Sequence, residues 1–383
     1  MKNQICAETD SARQRAVWID FAKSYGMFLV FFGHILEAFG LADSVALFMS
    51  YKFIYAFHIP FFFLLSGYLA KSPRKPFSQY FRTKLFTRLI VPFLFFNIIA
   101  LLLFFSKDTL VFFSKDVLVG THDFLEHLRQ ALRLIKGNPA FNITTWFLAC
   151  LFSVRLIDFV VSKYIKSSYV RLLIASFLFV AGWLLTLNFR NLVLDFWLLP
   201  EALVAYLFYT LGATLNHQSW LFPESGRKNF LGFCLSLGIT LATFNLNHSL
   251  VASDAYYTVN MGLSQHGQPL LFLITALSGS LAVMYLARWS AASGVLRKLQ
   301  IRLGIKFVGV NTLTFLGLNG LLMVANHAVV KPLVALLPHE SALLLAVSIV
   351  LTILSLLLCI PATLFLKRYL PQCIGLPKVS SQN

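Results

Sequence analysis

Val17-Trp18-Ile19-Asp20-Phe21-Ala22-Lys23-Ser24-Tyr25-Gly26-Met27-Phe28-Leu29-Val30-Phe31-Phe32-Gly33-His34-Ile35-Leu36-Glu37-Ala38-Phe39 is an apolar run broken by four ionisable side chains, Asp20, Lys23, His34 and Glu37. At 1.5 Å per residue it reaches roughly 34 Å, enough to cross the hydrocarbon core of a bilayer. The run therefore predicts a membrane helix. Ionisable groups inside such a helix are costly and persist where they face a bundle interior or a wet cavity. Lys23 and His34 are eleven residues apart, close to three helical turns, so they share a face; Glu37 lies one turn beyond His34 and Asp20 one turn before Lys23. This polar stripe marks the first site to consider. Asp20 and Lys23 fit it, and they also fit a position at the interface with their heads snorkelling to water. His34 lies too far inside the run for that alternative.

The rest of the chain repeats the pattern. Of its 383 residues 58% are hydrophobic and 12% charged, far from soluble composition. Apolar windows of spanning length fall near 17–39, 46–70, 85–105, 143–161, 169–187, 194–215, 229–246, 268–287, 307–329 and 341–366. The expected fold is an all-α, polytopic membrane bundle of about ten transmembrane helices, with a membrane domain over 17–366 between cytoplasmic segments at 1–16 and 367–383. Residues 1–16 are polar and of mixed charge, and the run after them is too long for a signal core, so the first helix is expected to stay in the protein. Beyond the last helix only a short polar tail is expected.

A net charge of +17 invites a nucleic-acid partner, but the basic residues are scattered among short loops and not gathered on one face. With ten spans and the N-terminus inside, 21 lysines and arginines fall in cytoplasmic segments against 7 in the opposite loops. The positive-inside rule then places both termini in the cytoplasm. The five cysteines are odd in number and without paired spacing, so neither a disulfide framework nor a zinc site is expected. Two stretches are less regular. In 106–142, Phe124, Leu125, Leu128, Leu132 and Ile135 recur at helical spacing and predict an amphipathic helix on the outer surface. In 247–268, His248, Asp254, Asn260, Gln265 and His266 compose a loop without lysine or arginine, fit for solvent or for an acceptor.

Other polar groups sit within the apolar windows. His58 precedes Pro60, which frees a carbonyl one turn back; it suits substrate binding or a satisfied structural histidine. Ser66-Gly67 suits a close helix contact. Glu201, just after Pro200, is an intramembrane carboxylate, and Trp146 suits a cavity lining or an interfacial anchor. Arg88 lies inside the third window with Lys84 and Arg82 shortly before it.

Trp18-Ile19-Asp20-Phe21-Ala22-Lys23 running into Gly33-His34, a basic residue, ten intervening positions and a histidine, resembles the first-helix signature of the acyltransferase-3 membrane proteins, closest to the fucose 4-O-acetylase-like branch. His58-Ile59-Pro60-Phe61-Phe62-Phe63-Leu64-Leu65-Ser66-Gly67-Tyr68, Arg88-Leu89-Ile90-Val91-Pro92, Trp146-Phe147-Leu148 and Gly309-Val310-Asn311-Thr312-Leu313 resemble further segments in the same order. The resemblance implies an O-acyltransferase of the bacterial inner membrane, acting from acetyl-CoA on a sugar hydroxyl of a surface polysaccharide or its lipid-linked precursor. It implies Lys23 and His34 as catalytic, and acyl-CoA held by Arg88, Lys84 and Arg82. The residues themselves suit His34 as a base or as a covalent acceptor of the acyl group, and Glu37 as a catalytic partner that orients the imidazole, as a binder of acceptor hydroxyls or as an interfacial residue without a role. His58, Trp146 and Glu201 would line the acceptor side. The chain departs from the pattern at Leu85, where relatives carry a second arginine, and at Asn319, near which they carry a histidine. A histidine side chain, which titrates near pH 6.5, suits the proton transfer such a reaction needs. The rival expectations are a transporter or flippase, which also needs buried polar groups, and a non-catalytic partner in a polysaccharide assembly complex.

Overall fold

The computed structural model describes residues 2–41, 44–71, 76–105, 132–139, 141–188, 196–216, 218, 221–223, 225–250, 258–336, 338 and 340–377. Most of the expected amphipathic helix, and the middle of the 247–268 loop, lie outside these residues. Among the described residues, helix lies within each of the ten apolar windows. The chain runs through α1 (Lys2–Phe39), α2 (Val45–Tyr55), α3 (His58–Tyr68), α4 (Phe77–Tyr80), a π-helical segment (Phe81–Ile90) and α5 (Val91–Phe105). It continues through α6 (Trp146–Tyr164), α7 (Ser168–Asn188), α8 (Leu199–Leu215), α9 (Gly226–Thr243), α10 (Pro269–Ala292), α11 (Gly294–Arg302), α12 (Ile305–Val310), α13 (Thr312–Leu336) and α14 (Ser341–Tyr369).

Among the described residues, seven spans are long and apolar enough to cross a membrane: Val17–Phe39, Val45–Tyr68, Phe77–Leu103, Ile143–Tyr164, Ser168–Leu187, Pro269–Ala292 and Ser341–Tyr369. The protein is therefore polytopic and all-α. Three of the ten expected spans fall short of that standard. Leu199–Leu215 and Thr312–Met323 are shorter apolar helices, and α9 has 18 residues of more mixed composition.

Two of the expected spans differ internally from straight α-helices. The second window is two helices, because Pro60 lacks the N–H that the Ala56 carbonyl would take, and the chain turns at Ala56 and Phe57. The third begins earlier than its apolar window and passes through ten π-helical residues. There the backbone bonds step by five residues, as from Val91 N to Phe86 O, and the Thr87 hydroxyl donates to the Arg82 carbonyl at 2.7 Å.

The chain divides into two compact units. The first holds Met1–Ala70, Phe208–Thr312 and Glu340–Leu356. Within it α10 packs on α9, α1 and α3, and α1 also packs on α2, α3 and α12. Lipid tails are as apolar as leucine, so membrane helices are held together by close packing and by hydrogen bonds between polar side chains. Both devices are present. A Cβ on Gly67 would strike the Tyr209 carbonyl and one on Gly212 the Leu64 carbonyl, so these two glycines bring backbones into direct contact, as the Ser66-Gly67 pair predicts. Thr240 Oγ1 meets Ser278 Oγ at 2.9 Å and Thr275 Oγ1 donates to Thr243 Oγ1 at 2.8 Å, joining α9 to α10. Ser24 Oγ donates to the Ile305 carbonyl at 2.6 Å, and Tyr25 hydroxyl meets Ser290 Oγ at 2.8 Å, which fixes α1 against its neighbours.

The second unit holds Lys71–Leu207, Leu313–His339 and Leu357–Asn383. Its centre is a buried polar network around the turn that starts α6. Asn97 Nδ2 donates to Thr145 Oγ1 at 2.8 Å and its Oδ1 accepts from Asn142 N at 3.1 Å. Asn142 Nδ2 donates to the Gly317 carbonyl at 2.8 Å, and Thr144 Oγ1 donates to the Leu316 carbonyl at 2.8 Å. These bonds fix the loop before Trp146 to α5 and α13.

Candidate functional site

The stripe of α1 places its polar side chains on one face, as helical spacing requires. Asp20 and Lys23 are half-buried at one end, and His34 and Glu37 stand at the other. His34 Nδ1 lies 3.3 Å from Glu37 Oε2, with the two side chains 18% and 37% exposed. A carboxylate can only accept, so the proton of that bond sits on Nδ1, and in the neutral imidazole the lone pair is then on Nε2. An imidazole oriented in this way is set up to take a proton.

Glu37 has a second partner. The Tyr55 hydroxyl, from the end of α2, donates to the same Oε2 at 3.5 Å. Tyr55 is buried, its ring stacks on Tyr51 with centroids 3.9 Å apart, and it meets the edge of His58 at 4.7 Å. Asn260, on the described part of the 247–268 loop, donates from Nδ2 to the Tyr51 hydroxyl at 3.4 Å. One cluster thus joins α1, α2, α3 and the loop before α10. Neighbouring Lys52 is buried too, and its ammonium is satisfied by Asn245 O at 3.1 Å and Asn245 Oδ1 at 2.9 Å.

His58 lies in this cluster with its Nδ1 committed. It donates to the Ile54 carbonyl at 2.9 Å, where α2 breaks and that carbonyl also accepts the Phe57 N–H at 3.2 Å. The geometry gives it a structural task and a contact with Tyr55.

The other expected site residues belong to the second unit. Arg82, Lys84 and Arg88 are exposed along the π-helical segment, while Leu85 and Leu89 of the same segment are buried. Trp146 opens α6 and is half-buried, directly after the Asn142–Thr145 turn. Glu201 is buried in the first turn of α8, where a helix N-terminus favours a carboxylate. Sequence reading passed over Tyr55 and the Asn97–Asn142 pair. A tyrosine in an aromatic-rich window carries no periodic signal, and Asn142 stands in a stretch that reads as loop.

No group of three histidine, cysteine or carboxylate side chains suited to a metal occurs among the described residues. Cys150, Cys234, Cys359 and Cys373 are free thiols.

A polytopic helical protein with an oriented histidine inside a membrane helix is the class that fold and site define. The acyltransferase-domain family model of the acyltransferase-3 type matches residues 16–364, and the chain belongs to that family. It is therefore a membrane-embedded acyltransferase-family protein. The chain is also 32% identical over 150 residues to the nodulation protein NolL of Sinorhizobium fredii (strain NBRC 101917 / NGR234). That match covers 36% of this chain and 41% of the relative's length. No solved structure matches the chain.

Proposed function

We propose that the chain is an O-acyltransferase of the fucose 4-O-acetylase-like branch, transferring an acetyl group from acetyl-CoA to a sugar hydroxyl of a cell-surface polysaccharide or its lipid-linked precursor. The observation that carries this reading is the His34–Glu37 pair on a membrane helix, in a chain of an acyltransferase family. His34 Nε2 takes the proton of the acceptor hydroxyl as its oxygen attacks the thioester carbonyl. Collapse of the tetrahedral intermediate breaks the carbon–sulfur bond, and the imidazolium returns the proton to the departing thiolate. A base of this kind contributes about 10² to 10⁴ in rate.

Lys23, about 16 Å from His34 by helical rise, lines the same stripe toward the donor end. Arg82, Lys84 and Arg88 offer charge-assisted contacts to the pyrophosphate and 3′-phosphate of coenzyme A. Trp146 and Glu201 would bind the acceptor, as the family resemblance implies, and so would His58, whose ring meets Tyr55. The membrane domain spans 17–366 in the bacterial inner membrane with both termini cytoplasmic, because the basic residues crowd onto one side. A cysteine placed at position 74 should then escape an impermeant thiol reagent added from outside; its labelling would invert the orientation.

The chemistry is tested in membranes of the producing cells, by incorporation of radiolabelled acetyl groups from acetyl-CoA into the saccharide fraction. Acetyl transfer is expected, with loss in His34→Ala. Saccharide crossing the membrane unmodified, equally in parent and variant, would instead identify a transporter.

A further inference from the structure

We infer that Tyr55 is a positioning residue for the proposed acyl transfer: it fixes the Glu37 carboxylate and, through it, the tautomer and orientation of the His34 imidazole. The inference rests on the acyltransferase reading above.

The need for such a residue follows from Glu37 itself. Its side chain is 37% exposed, and it meets His34 from three residues away on the same helix. A glutamate there has three rotatable bonds, and an i,i+3 pair stabilises by only a few tenths of a kcal/mol. That pair is too weak by itself to define one orientation of the carboxylate. A donor held from another element strengthens that orientation.

Tyr55 is built as that donor. Its ring is 6% exposed and fixed on three sides: by the stacked Tyr51 at 3.9 Å, by the edge of His58 at 4.7 Å, and by Gly33. The last contact explains the glycine immediately before the histidine. A Cβ on Gly33 would lie 2.9 Å from Tyr55 Cε2, so any larger residue pushes the ring off α1. With the ring seated there, its hydroxyl reaches Glu37 Oε2 at 3.5 Å, and His34 Nδ1 reaches the same oxygen at 3.3 Å. Both contacts are long, as catalytic hydrogen bonds commonly are before substrate tightens them.

The test is a double-mutant cycle on the full-length protein in native membranes, reading the rate and the acetyl-CoA dependence of radiolabelled acetyl transfer. Tyr55→Phe keeps the packing and removes only the hydroxyl. It should lower kcat about tenfold, the rate equivalent of one neutral hydrogen bond, and leave KM for acetyl-CoA within about twofold. In a Glu37→Ala background the same change should cost less than about twofold, because the group through which Tyr55 acts is gone. Gly33→Ala should reproduce the kcat loss. An equal loss from Tyr55→Phe in both backgrounds, a full rate, or a raised KM at unchanged kcat would each overturn the role. So would a Glu37→Ala protein with no measurable transfer, since a carboxylate that only orients leaves residual catalysis. A parent protein without acetyl transfer, or an undiminished His34→Ala variant, would instead overturn the underlying acyltransferase reading whatever Tyr55 does.

Discussion

Two polar clusters lie within membrane helices and their turns, and they are built on opposite plans. Around Asn142 the polar side chains are enclosed: Asn97, Asn142 and Thr145 are 0% exposed, and their amide and hydroxyl groups bond one another and the carbonyls of α13. Around His34, the imidazole and carboxylate are partly open, and one ring nitrogen is turned away from the bond the other makes. A saturated network removes the cost of burying polar groups and has nothing left to offer a substrate. An oriented but open pair keeps reactive capacity at the price of looser packing. The first cluster is read as framework and the second as chemistry.

Several measurements break or sharpen that contrast. The largest effect is expected at Asn142. Asn142→Leu strips partners from Gly317 O and Thr144 Oγ1 in a buried site, and should destabilise the protein by about 3–5 kcal/mol. Thermal unfolding of the purified protein in detergent would show it, with residual activity following the folded fraction. An Asn142→Leu protein that is stable but catalytically dead would move this cluster from framework to chemistry. Glu37→Gln keeps shape and half-exposure but offers a weaker acceptor to His34 Nδ1; kcat should fall about tenfold with the melting temperature unchanged. A melting temperature lowered in step with activity would erase the distinction between the clusters.

Arg88 supplies a third case, a cation exposed on a π-helical segment. Arg88→Lys keeps charge and loses the bidentate fork, so KM for acetyl-CoA should rise by several-fold at constant kcat. Collapse of turnover with donor binding intact would contradict the donor role. The smallest change is expected for Asn260→Ala, which removes a 3.4 Å bond to Tyr51 at the far end of the His34 cluster. It should alter kcat by no more than about threefold, and a larger loss would place the loop before α10 within the site.

The helices were legible because their apolar windows are long, and the His34–Glu37 contact was legible because helical spacing dictates it. What escaped reading depends on partners distant in the chain. Tyr55 reaches Glu37 across a helix break, 18 positions on, and Asn142 finds Gly317 175 positions on. Neither pairing has a periodic trace. The π-helical run at 81–90 was equally hidden, since its composition is that of an ordinary basic helix entering the membrane. His58 shows a subtler limit: its position before Pro60 announced a freed carbonyl, but only the fold shows that its own Nδ1 covers a carbonyl at that break, Ile54 O.

The central claim is that the open cluster on α1 performs proton transfer, and it is tested most directly by His34→Ala. Native membranes carrying equal amounts of folded parent or variant would be given radiolabelled acetyl-CoA, and acetyl groups in the saccharide fraction counted. The account predicts that transfer falls by about 10² to 10⁴ in the variant while binding of acetyl-CoA stays near the parent's. Transfer by the variant at the parent's rate would contradict it.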